Sequence, residues 1–314
     1  MTTPERILFT PTIKLEIEIA LQLQKFEQQQ KADGRAEETI RSRLQSLKQV
    51  AMKCNINEPE EVKIWLSNYT KWNNKTKTKF ADTYSAYLNF TGKKWTAPKY
   101  TVTAKLPFIP TEQEIDLLIS ACGKQTSAVL QTLKETGIRI GELTLLKWID
   151  LDGERKTLNI TPEKGSNPRI LPISDKLLAM INKLPHNRET IFQPRKHMLR
   201  EYFCTQRKEI AERLQNQRLK KITFHTFRHW KGTMEYHKTK DIMHVKYVLG
   251  HKTINCTLIY INLEETIFLA DTDEWIVKVA HNEAEEIKLI EASFTFVNKR
   301  ENGESYSAFY KKRK

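Results

Sequence analysis

The sequence has no apolar run as long as the ~18 residues that a membrane-spanning helix requires. Its first residues, MTTPERILFT, lack the apolar core of a signal peptide. Cysteine is scarce, and the four cysteines lie far apart with no CxxC pair: Cys54, Cys122, Cys204 and Cys256. This usage is typical of reduced thiols in a cytoplasmic protein. We therefore predict a cytoplasmic protein with no membrane partner.

Acidic residues are outnumbered by basic ones. Lys and Arg total 52 against 38 Asp and Glu, so the formal net charge is +14 and the pI is near 9.4. A surplus of this size favours a polyanionic partner, most often nucleic acid, and the alternative is a merely solvated basic surface. The 314 residues, 39% hydrophobic and 29% charged, suffice for two globular domains.

The positive charge is concentrated between residues 71 and 105, where eight lysines accompany a single acid. Six aromatic residues are interleaved with them: Trp72, Phe80, Tyr84, Tyr87, Phe90 and Trp95. We expect most of these aromatic side chains to pack in a helical core, while the lysines form a cationic face. The candidate residues for binding nucleic acid are Lys75, Lys77, Lys79, Lys93 and Lys94.

Hydrophobic periodicity predicts a helical domain first. Residues 12–95 contain four stretches with apolar residues at helical spacing, which predicts a helical domain over residues 1–95. The stretch TAPKYTVTAKLPFIP has three prolines and no helical period, which predicts an extended linker over residues 96–108.

A second domain is predicted over residues 109–270. Thr111 and Glu114 form a capping-box pattern before two helices, and Gly137 suits the end of the second helix. The stretch RIGELTLLKWIDLD is predicted to be a third helix, and TLNIT and RILPI are predicted to be the strands of a hairpin. A long basic helix follows over residues 195–220, and HTFRHW begins the next helix.

The remaining residues, 271–314, predict a small β-α-β-β tail. EWIVKVA is a strand candidate, NEAEEIKLIEAS a helix, and FTFVNKRENGESYSAFY a hairpin with an Asn302-Gly303 turn. The predicted fold class is therefore mainly α with small β elements (α+β), in which two mainly helical domains precede this tail.

The segment HTFRHW places His225 and His229 four residues apart, so both imidazoles would lie on one helical face, as in zinc hydrolases. Those helices carry a glutamate beside the first histidine, where this chain has Thr226. Arg228 would also put a permanent cation beside the metal. The segment taken alone leaves open a zinc site, a phosphate clamp and the polar edge of a helix.

Phosphoryl transfer without a metal needs fixed cations on the phosphate oxygens, a proton donor for the leaving oxygen and a nucleophile. Arg139 and Arg228 suit the first role, because a guanidinium donates two parallel bonds to a phosphate and stays charged. Lys164, in the hairpin loop, is a candidate acid, and Tyr260 is a candidate exposed nucleophile. Each residue alone also has an ordinary structural explanation, such as a surface ion pair.

Taken together, these segments resemble the tyrosine recombinases of the phage-integrase family. TGIRIGEL resembles the family's first arginine box, with Arg139 as its arginine and Glu142 as the nearby acid. EKGSNPRILPI resembles the hairpin segment that carries the family's lysine, here Lys164.

Two further boxes continue the resemblance. HTFRH resembles the H-x-x-R-H box, which assigns His225 and Arg228, and VLGHKTINCTLIY resembles the LGH…Y box, which assigns His251 and Tyr260. The separations also agree, with 23 residues from Arg228 to His251 and nine from there to Tyr260. The resemblance covers the second domain to about residue 270, and the tail looks more like archaeal integrase-type members.

The resemblance implies a site-specific DNA recombinase that breaks and rejoins double-stranded DNA through a 3′-phosphotyrosyl intermediate. No metal and no other cofactor would be needed, and strand exchange would pass through a Holliday junction in a homotetramer on DNA. HTFRHW is then a phosphate clamp. The implied roles are nucleophile for Tyr260, acid for Lys164, base or proton carrier for His225, and charge stabilisation by Arg139, Arg228 and His251, with Glu142 and His229 in support.

Two alternatives differ in what they do to DNA. A type IB topoisomerase would share the chemistry but swivel DNA as a monomer, and the short helical domain favours a recombinase instead. A DNA-binding protein of the same fold could have lost catalysis, which the complete set of residues argues against.

Overall fold

The computed structural model describes residues 11–103, 105–163, 165–193, 196–268, 275–302 and 305–313. Contacts between backbone positions divide the chain into two units, Met1–Lys105 and Leu106–Lys314. Within the described residues, no helix is long and apolar enough to cross a membrane.

The first unit consists of helices α1 (Pro11–Ala32), α2 (Glu37–Ala51), α3 (Pro59–Asn68) and α4 (Asn74–Thr91). The prediction of four helices is confirmed, and so is that of an aromatic core, because Phe80, Tyr84 and Tyr87 are buried against leucines and valines of the other helices. The Tyr84 hydroxyl donates to the carbonyl of Ile56 at 2.8 Å, so its polar end is satisfied inside the core. Helix α4 ends at Gly92, whose φ of 75° suits glycine.

The second unit opens with helices α5 (Glu112–Ala121), α6 (Lys124–Thr136) and α7 (Ile140–Leu145). The predicted capping box is confirmed, since Thr111 Oγ1 accepts from Glu114 N and Glu114 Oε2 accepts from Thr111 N. Gly137 ends α6 with a φ of 62°, as predicted. Leu118, Leu130 and Leu133 are buried in the large core of this unit.

The predicted third helix is wrong beyond Leu145. The chain turns there because its backbone bonds to another segment: Ile191 N donates to Leu146 O at 2.9 Å, and Trp148 N donates to Glu189 O at 3.1 Å. The end of the predicted helix, Leu151–Asp152, is instead strand β1. It pairs antiparallel with β2 (Thr157–Ile160), which pairs antiparallel with β3 (Arg169–Pro172). The predicted hairpin is thus confirmed and has a third strand.

Between the sheet and the tail, the described residues form the helices α8 (Asp175–Asn182), α9 (Lys196–Arg213), α10 (Phe224–Thr239), α11 (Ile242–Leu249) and α12 (Ile259–Phe268). The helix predicted over residues 195–220 is confirmed as α9 but ends at Arg213, and a separate 3-10 turn follows at Gln217–Lys221. The start of α10 was predicted, whereas α8, α11 and α12 were not assigned from the sequence. Phe227 on α10 is buried in the core of the second unit, which fixes the rotation of this helix and of the charged residues beside Phe227.

The tail has the predicted order: β4 (Trp275–Ala280), α13 (Glu283–Glu291), β5 (Thr295–Asn302) and β6 (Ser305–Arg313). The strands form an antiparallel sheet in the order β4-β6-β5. Gly303 of the predicted turn lies outside the described residues, but β5 and β6 pair on either side of it. The core of the tail is small and centres on Ala280, Leu289, Ala308 and Tyr310.

Candidate active site

Arg139 lies immediately before α7, where its extended backbone places it at the N-terminal end of the helix. Its backbone N donates to Glu142 Oε2 at 2.9 Å, which closes the first turn of α7. Its guanidinium is 30% exposed, and Nη1 donates to Ser166 Oγ at 2.7 Å and to Glu142 Oε1 at 3.4 Å. Ser166 and Glu142 therefore hold one nitrogen of the guanidinium, while part of the group stays accessible to solvent.

Arg228 lies in the second turn of α10 and is only 2% exposed. Its Nη1 donates to Gly137 O at 2.8 Å and its Nη2 to Leu249 O at 2.6 Å. These carbonyls lie at the C-terminal ends of α6 and α11, where the helix dipole favours a cation. Burial, and then repulsion from Arg139, lower the pKa of Arg228 to about 10, so the side chain stays charged at neutral pH.

The two predicted histidines differ in their surroundings. His225 is exposed in the first turn of α10, and desolvation followed by repulsion from Arg228 and Arg139 lowers its pKa. His251 is buried, with its Nδ1 2.9 Å from Thr257 Oγ1. Burial and the neighbouring arginines lower the pKa of His251 to about 3. Both imidazoles are therefore mainly neutral at pH 7.

Tyr260 is not exposed, contrary to the prediction. It lies at the start of α12 with only 2% of its surface accessible, packed against Val245, Leu249 and Leu263. The ring also lies against α10, where a Cβ added to Gly232 would be 2.6 Å from Tyr260 Cζ. The physical reason is that a phenol ring gains more from this apolar contact than from solvent.

The ionisation of Tyr260 follows from its burial. Desolvation raises the pKa of Tyr260 to about 12 and outweighs the opposite effect of Arg228 and Arg139. The two arginines therefore favour the phenolate, but burial outweighs them in this conformation. The hydroxyl lies 3.4 Å from His229 Nδ1, and the ring stacks parallel to that of His251 at 6.4 Å between centroids.

The two supporting residues contact the candidate catalytic groups directly. Glu142 bonds to Arg139, as described above, while His229 reaches the Tyr260 hydroxyl and lies edge-on to His225 at 4.6 Å between ring centroids. Burial, and then the charges of His225 and Arg228, lower the pKa of His229 to about 4. Five of the six predicted catalytic side chains thus surround one site between α6, α10, α11 and α12.

Lys164, the sixth, lies outside the described residues. The residues on either side of it are described. Glu163 packs on α7, where a Cβ added to Gly141 would lie 1.5 Å from Glu163 Oε2. Gly165 has a φ of 72°, and a Cβ there would lie 3.5 Å from the Lys252 side chain. Glu163 therefore lies against α7, and Gly165 lies near Lys252.

Sequence reasoning missed two residues that contact the site. Arg169 lies on β3 and bonds to Glu142, and Ser166 Oγ both accepts from Arg139 and donates to Gly250 O at 2.9 Å. The signal for Arg169 was available, because strand alternation places it on the same face as the buried Leu171. A buried arginine is uncommon unless it is paired.

No metal-binding group was found at the histidines. Among the residues that the structure describes, no cluster of three or more His, Cys, Asp or Glu side chains is arranged to hold a metal ion. His229 instead contacts Tyr260 and His225, and the charge of Arg228 acts on both imidazoles.

The family model described as Phage integrase family matches residues 110–266, which is half of the chain and includes every candidate catalytic residue. The chain belongs to this family. The match begins just before α5 and ends within α12, so it covers the part of the second unit that precedes the tail.

Individual relatives agree with this family membership. A tyrosine recombinase of Thermosipho africanus is 27% identical over 173 residues, which are 52% of this chain and 60% of that protein. Tyrosine recombinase XerA of Pyrococcus horikoshii is 27% identical over 191 residues, which are 56% of this chain and 65% of that protein. The chain spans about half to two thirds of the length of the first curated relatives it matches.

Solved structures of phage integrase relatives share the fold. The Tn1549 transposon integrase in complex with transposon right end DNA has a TM-score of 0.58 at 16% identity, covering 87% of this chain and 99% of that chain. A lambda integrase dimer bound to a core site has a TM-score of 0.55 at 14% identity, covering 81% of each chain. The predicted fold class and family are confirmed.

The candidate DNA-binding lysines lie in the first unit, outside the family match. Lys75, Lys79, Lys93 and Lys94 are exposed, although Lys79 Nζ donates to Ser42 Oγ and Lys93 Nζ to Asn57 O. Lys77 is only 8% exposed, and its Nζ donates to the carbonyl of Ser67 at 3.1 Å. The expected cationic face therefore excludes Lys77, because this lysine is used inside the helical unit.

Proposed function

We propose that this chain is a site-specific DNA recombinase that breaks and rejoins duplex DNA through Tyr260. The observation that carries the proposal is the placement of Arg139, Arg228, His251 and Tyr260 around one site in a member of the phage integrase family. The positive charges of Arg139 and Arg228 repel each other at this site, and a DNA phosphate would supply an anion for both.

The reaction can be written in terms of these side chains. The Tyr260 oxygen attacks the phosphorus, its proton passes to His225, and a 3′-phosphotyrosine bond replaces the bond to the 5′-oxygen. That oxygen leaves as a hydroxyl after taking a proton from Lys164. The two arginines and His251 stabilise the negative charge that builds up on the non-bridging oxygens. The phosphotyrosine keeps the bond energy for rejoining, so the cycle uses neither ATP nor metal.

The buried Tyr260 requires one step before the attack. A phenol with a pKa of about 12 is a weak nucleophile at neutral pH, and its oxygen faces His229. We propose that DNA binding moves α12 and its tyrosine towards the phosphate, where the same arginines favour the phenolate. Apo geometry does not exclude this role, because catalytic contacts often form only in the complex.

We also propose that strand exchange occurs within a tetramer and passes through a Holliday junction. A single tyrosine cleaves one strand, so four protomers supply the four cleavages of a complete exchange. The tail is expected to couple these protomers, since it carries no candidate catalytic residue. Its edge strand β4 exposes Val277 and Val279 and is suited to pairing with another strand.

The test is capture of the covalent intermediate. The protein is incubated with sheared total DNA of its source cell, denatured and washed, and the DNA that stays linked to protein is sequenced. We expect a short common sequence at the linked 3′ ends with the wild-type protein and none with Tyr260→Phe, which should still bind DNA. DNA binding without any adduct from the wild type would instead indicate a catalytically silent DNA-binding protein.

The role of Lys164 as the acid is tested with a DNA substrate that has the captured sequence. Lys164→Ala should slow cleavage, and a sulfur in place of the bridging 5′-oxygen should restore it, because a thiolate leaves without a proton. An absence of rescue would assign the acid to another residue. Cleavage should also continue in the presence of a strong chelator.

A further inference from the structure

The buried carboxylate of Glu142 has two arginines beside it. The side chains of Arg169 and Glu142 are both 0% exposed, and Nη2 of Arg169 lies 2.8 Å from Oε2 of Glu142. Nη1 of Arg169 lies 3.3 Å from the second oxygen, Oε1, so the contact is two-pronged. Oε1 is also the atom that Nη1 of Arg139 approaches, at 3.4 Å. Two guanidinium groups therefore compete for one carboxylate.

Arg169 holds the carboxylate more tightly than Arg139 does. It makes the shorter contact in a fully buried position, where a charge pair is screened least by water. Burial alone would raise the pKa of Glu142, but the bonds from Arg169 and from the backbone of Arg139 hold that pKa below its ordinary value. The charge of Glu142 is thus neutralised mainly by Arg169.

Arg169 is itself fixed by three segments. It extends from β3, its Nε donates to Val248 O at 2.8 Å at the end of α11, and its Nη1 donates to Asn167 O at 3.1 Å. The turn at Gly250 has a φ of 65° and closes on this guanidinium, because an added Cβ would lie 2.5 Å from Arg169 Nη1. Because Arg169 is held in this way, Arg139 cannot easily replace it as the partner of Glu142.

The position of Arg139 is different. Its guanidinium is partly exposed, and the bonds that it makes to described residues all involve Nη1. Among these residues, no partner occupies its Nη2 or Nε. Its positive charge and these two nitrogens are therefore available to a ligand.

We infer that Arg169 is a positioning residue that occupies Glu142 and thereby keeps Arg139 available for the DNA phosphate. Without Arg169, Glu142 would be a buried carboxylate with one cation in reach, and it would draw Arg139 into a full ion pair. The role assigned to the phosphate rests on the proposed function, whereas the competition for Glu142 does not. A purely structural role for Arg169 makes the opposite prediction, because a loosened site would expose Arg139 further.

The two explanations are separated by the reactivity of Arg139 towards phenylglyoxal, which modifies accessible guanidinium groups. Modification of Arg139 is measured by peptide mass spectrometry at a temperature where each variant is folded, relative to the exposed Arg155 in the same sample. In Arg169→Met, we expect Arg139 to react about tenfold more slowly than in the wild type, the effect of one charge-assisted bond. In Arg169→Met with Glu142→Gln, the rate should return close to that of the wild type.

An unchanged or faster reaction of Arg139 in Arg169→Met would overturn the inference. If that variant does not fold, Arg169→Lys keeps a cation beside Glu142 but makes only a point contact. Arg139 should then react more slowly than in the wild type by a smaller factor, and adding Glu142→Gln should remove the difference. Equal rates in Arg169→Lys and the wild type would again contradict the competition.

The same variants are then assayed for adduct formation with the DNA sequence captured by the wild-type protein. Arg169→Met should form the phosphotyrosine about tenfold more slowly, and the added Glu142→Gln should recover part of the rate. A double variant slower than the single one would overturn the inference. If the variants show the expected labelling but the wild type forms no adduct with any DNA, the proposed function fails while the competition for Glu142 stands.

Discussion

The buried His251 makes a quantitative prediction about stability at acid pH. Its pKa is lowered from 6.5 to about 3 in the folded chain, chiefly by burial and then by the arginines beside it. The folded state therefore favours the neutral imidazole, and this contribution is complete above pH 6.5. As the pH falls below 6.5, the unfolded chain takes up a proton that the folded chain does not, so stability decreases.

The size of the decrease follows from the shift. Each pH unit well below 6.5 and above the folded pKa costs about 1.4 kcal/mol, so lowering the pH from 6.5 to 4.5 removes about 2 kcal/mol through this group alone. His251→Gln keeps an amide that can bond to Thr257 but has no proton to bind. At pH 7 we expect the variant to be less stable than the wild type by about 1–3 kcal/mol, because the amide packs less well than the imidazole. At pH 4.5 this difference should vanish or reverse.

The measurement is urea unfolding of both proteins at pH 7 and pH 4.5, followed by tryptophan fluorescence. The comparison between proteins cancels the groups that titrate equally in both. His197→Gln, on the exposed side of α9, is the matched control and should show the same pH dependence as the wild type. If the stability of His251→Gln fell as much as that of the wild type between the two pH values, His251 would not be held neutral by the fold.

Three further outcomes are expected. Gly232→Ala should lower the thermal midpoint, because overpacking against the Tyr260 ring costs about 1–3 kcal/mol and the helix gains only about 1. Gly153→Ala, where the added Cβ meets open space, should leave it unchanged, and a raised midpoint for Gly232→Ala would mean that the ring moves freely. Neutralising Lys75 and Lys79 should reduce the slope of log affinity against log salt concentration for DNA binding. The reduction should be roughly 0.9 for each DNA phosphate that these lysines neutralise in the wild type. An unchanged slope would mean that the two lysines are not in the DNA interface. Ending the chain before the tail should spare binding to one half-site and some cleavage but abolish synapsis, and full-rate recombination by the shortened protein would exclude a coupling role.

The local pattern of the chain determined most of its helices and the identity of its family. Apolar spacing and caps are local properties, so the four helices of the first unit, the capping box at Thr111 and the end of α6 at Gly137 could be predicted from a few neighbouring residues. The segments around Arg139, Arg228 and Tyr260 are equally local, and they were sufficient to indicate the family that residues 110–266 match.

Two predictions from the local sequence pattern were wrong because contacts between distant residues determine the structure there. The helix predicted beyond Leu145 is replaced by bonds to residues 189–191, more than forty positions away, which no local period reveals. Lys77 was predicted at a DNA-binding face, but it bonds to a carbonyl ten positions earlier, on the neighbouring helix. In both cases the residue forms a hydrogen bond with a backbone group of another element, and the local sequence does not reveal that partner.

The burial and charge pairing of the site residues were likewise determined by tertiary packing. The sequence determined which side chains are present, because the boxes that carry Arg139, His251 and Tyr260 are continuous segments. Only the folded chain decided that Tyr260 is buried against Gly232 and that Arg169 takes the carboxylate of Glu142. Burial and charge pairing are set by elements far apart in the sequence, and these two effects control the pKa values and the free donors from which the chemistry follows.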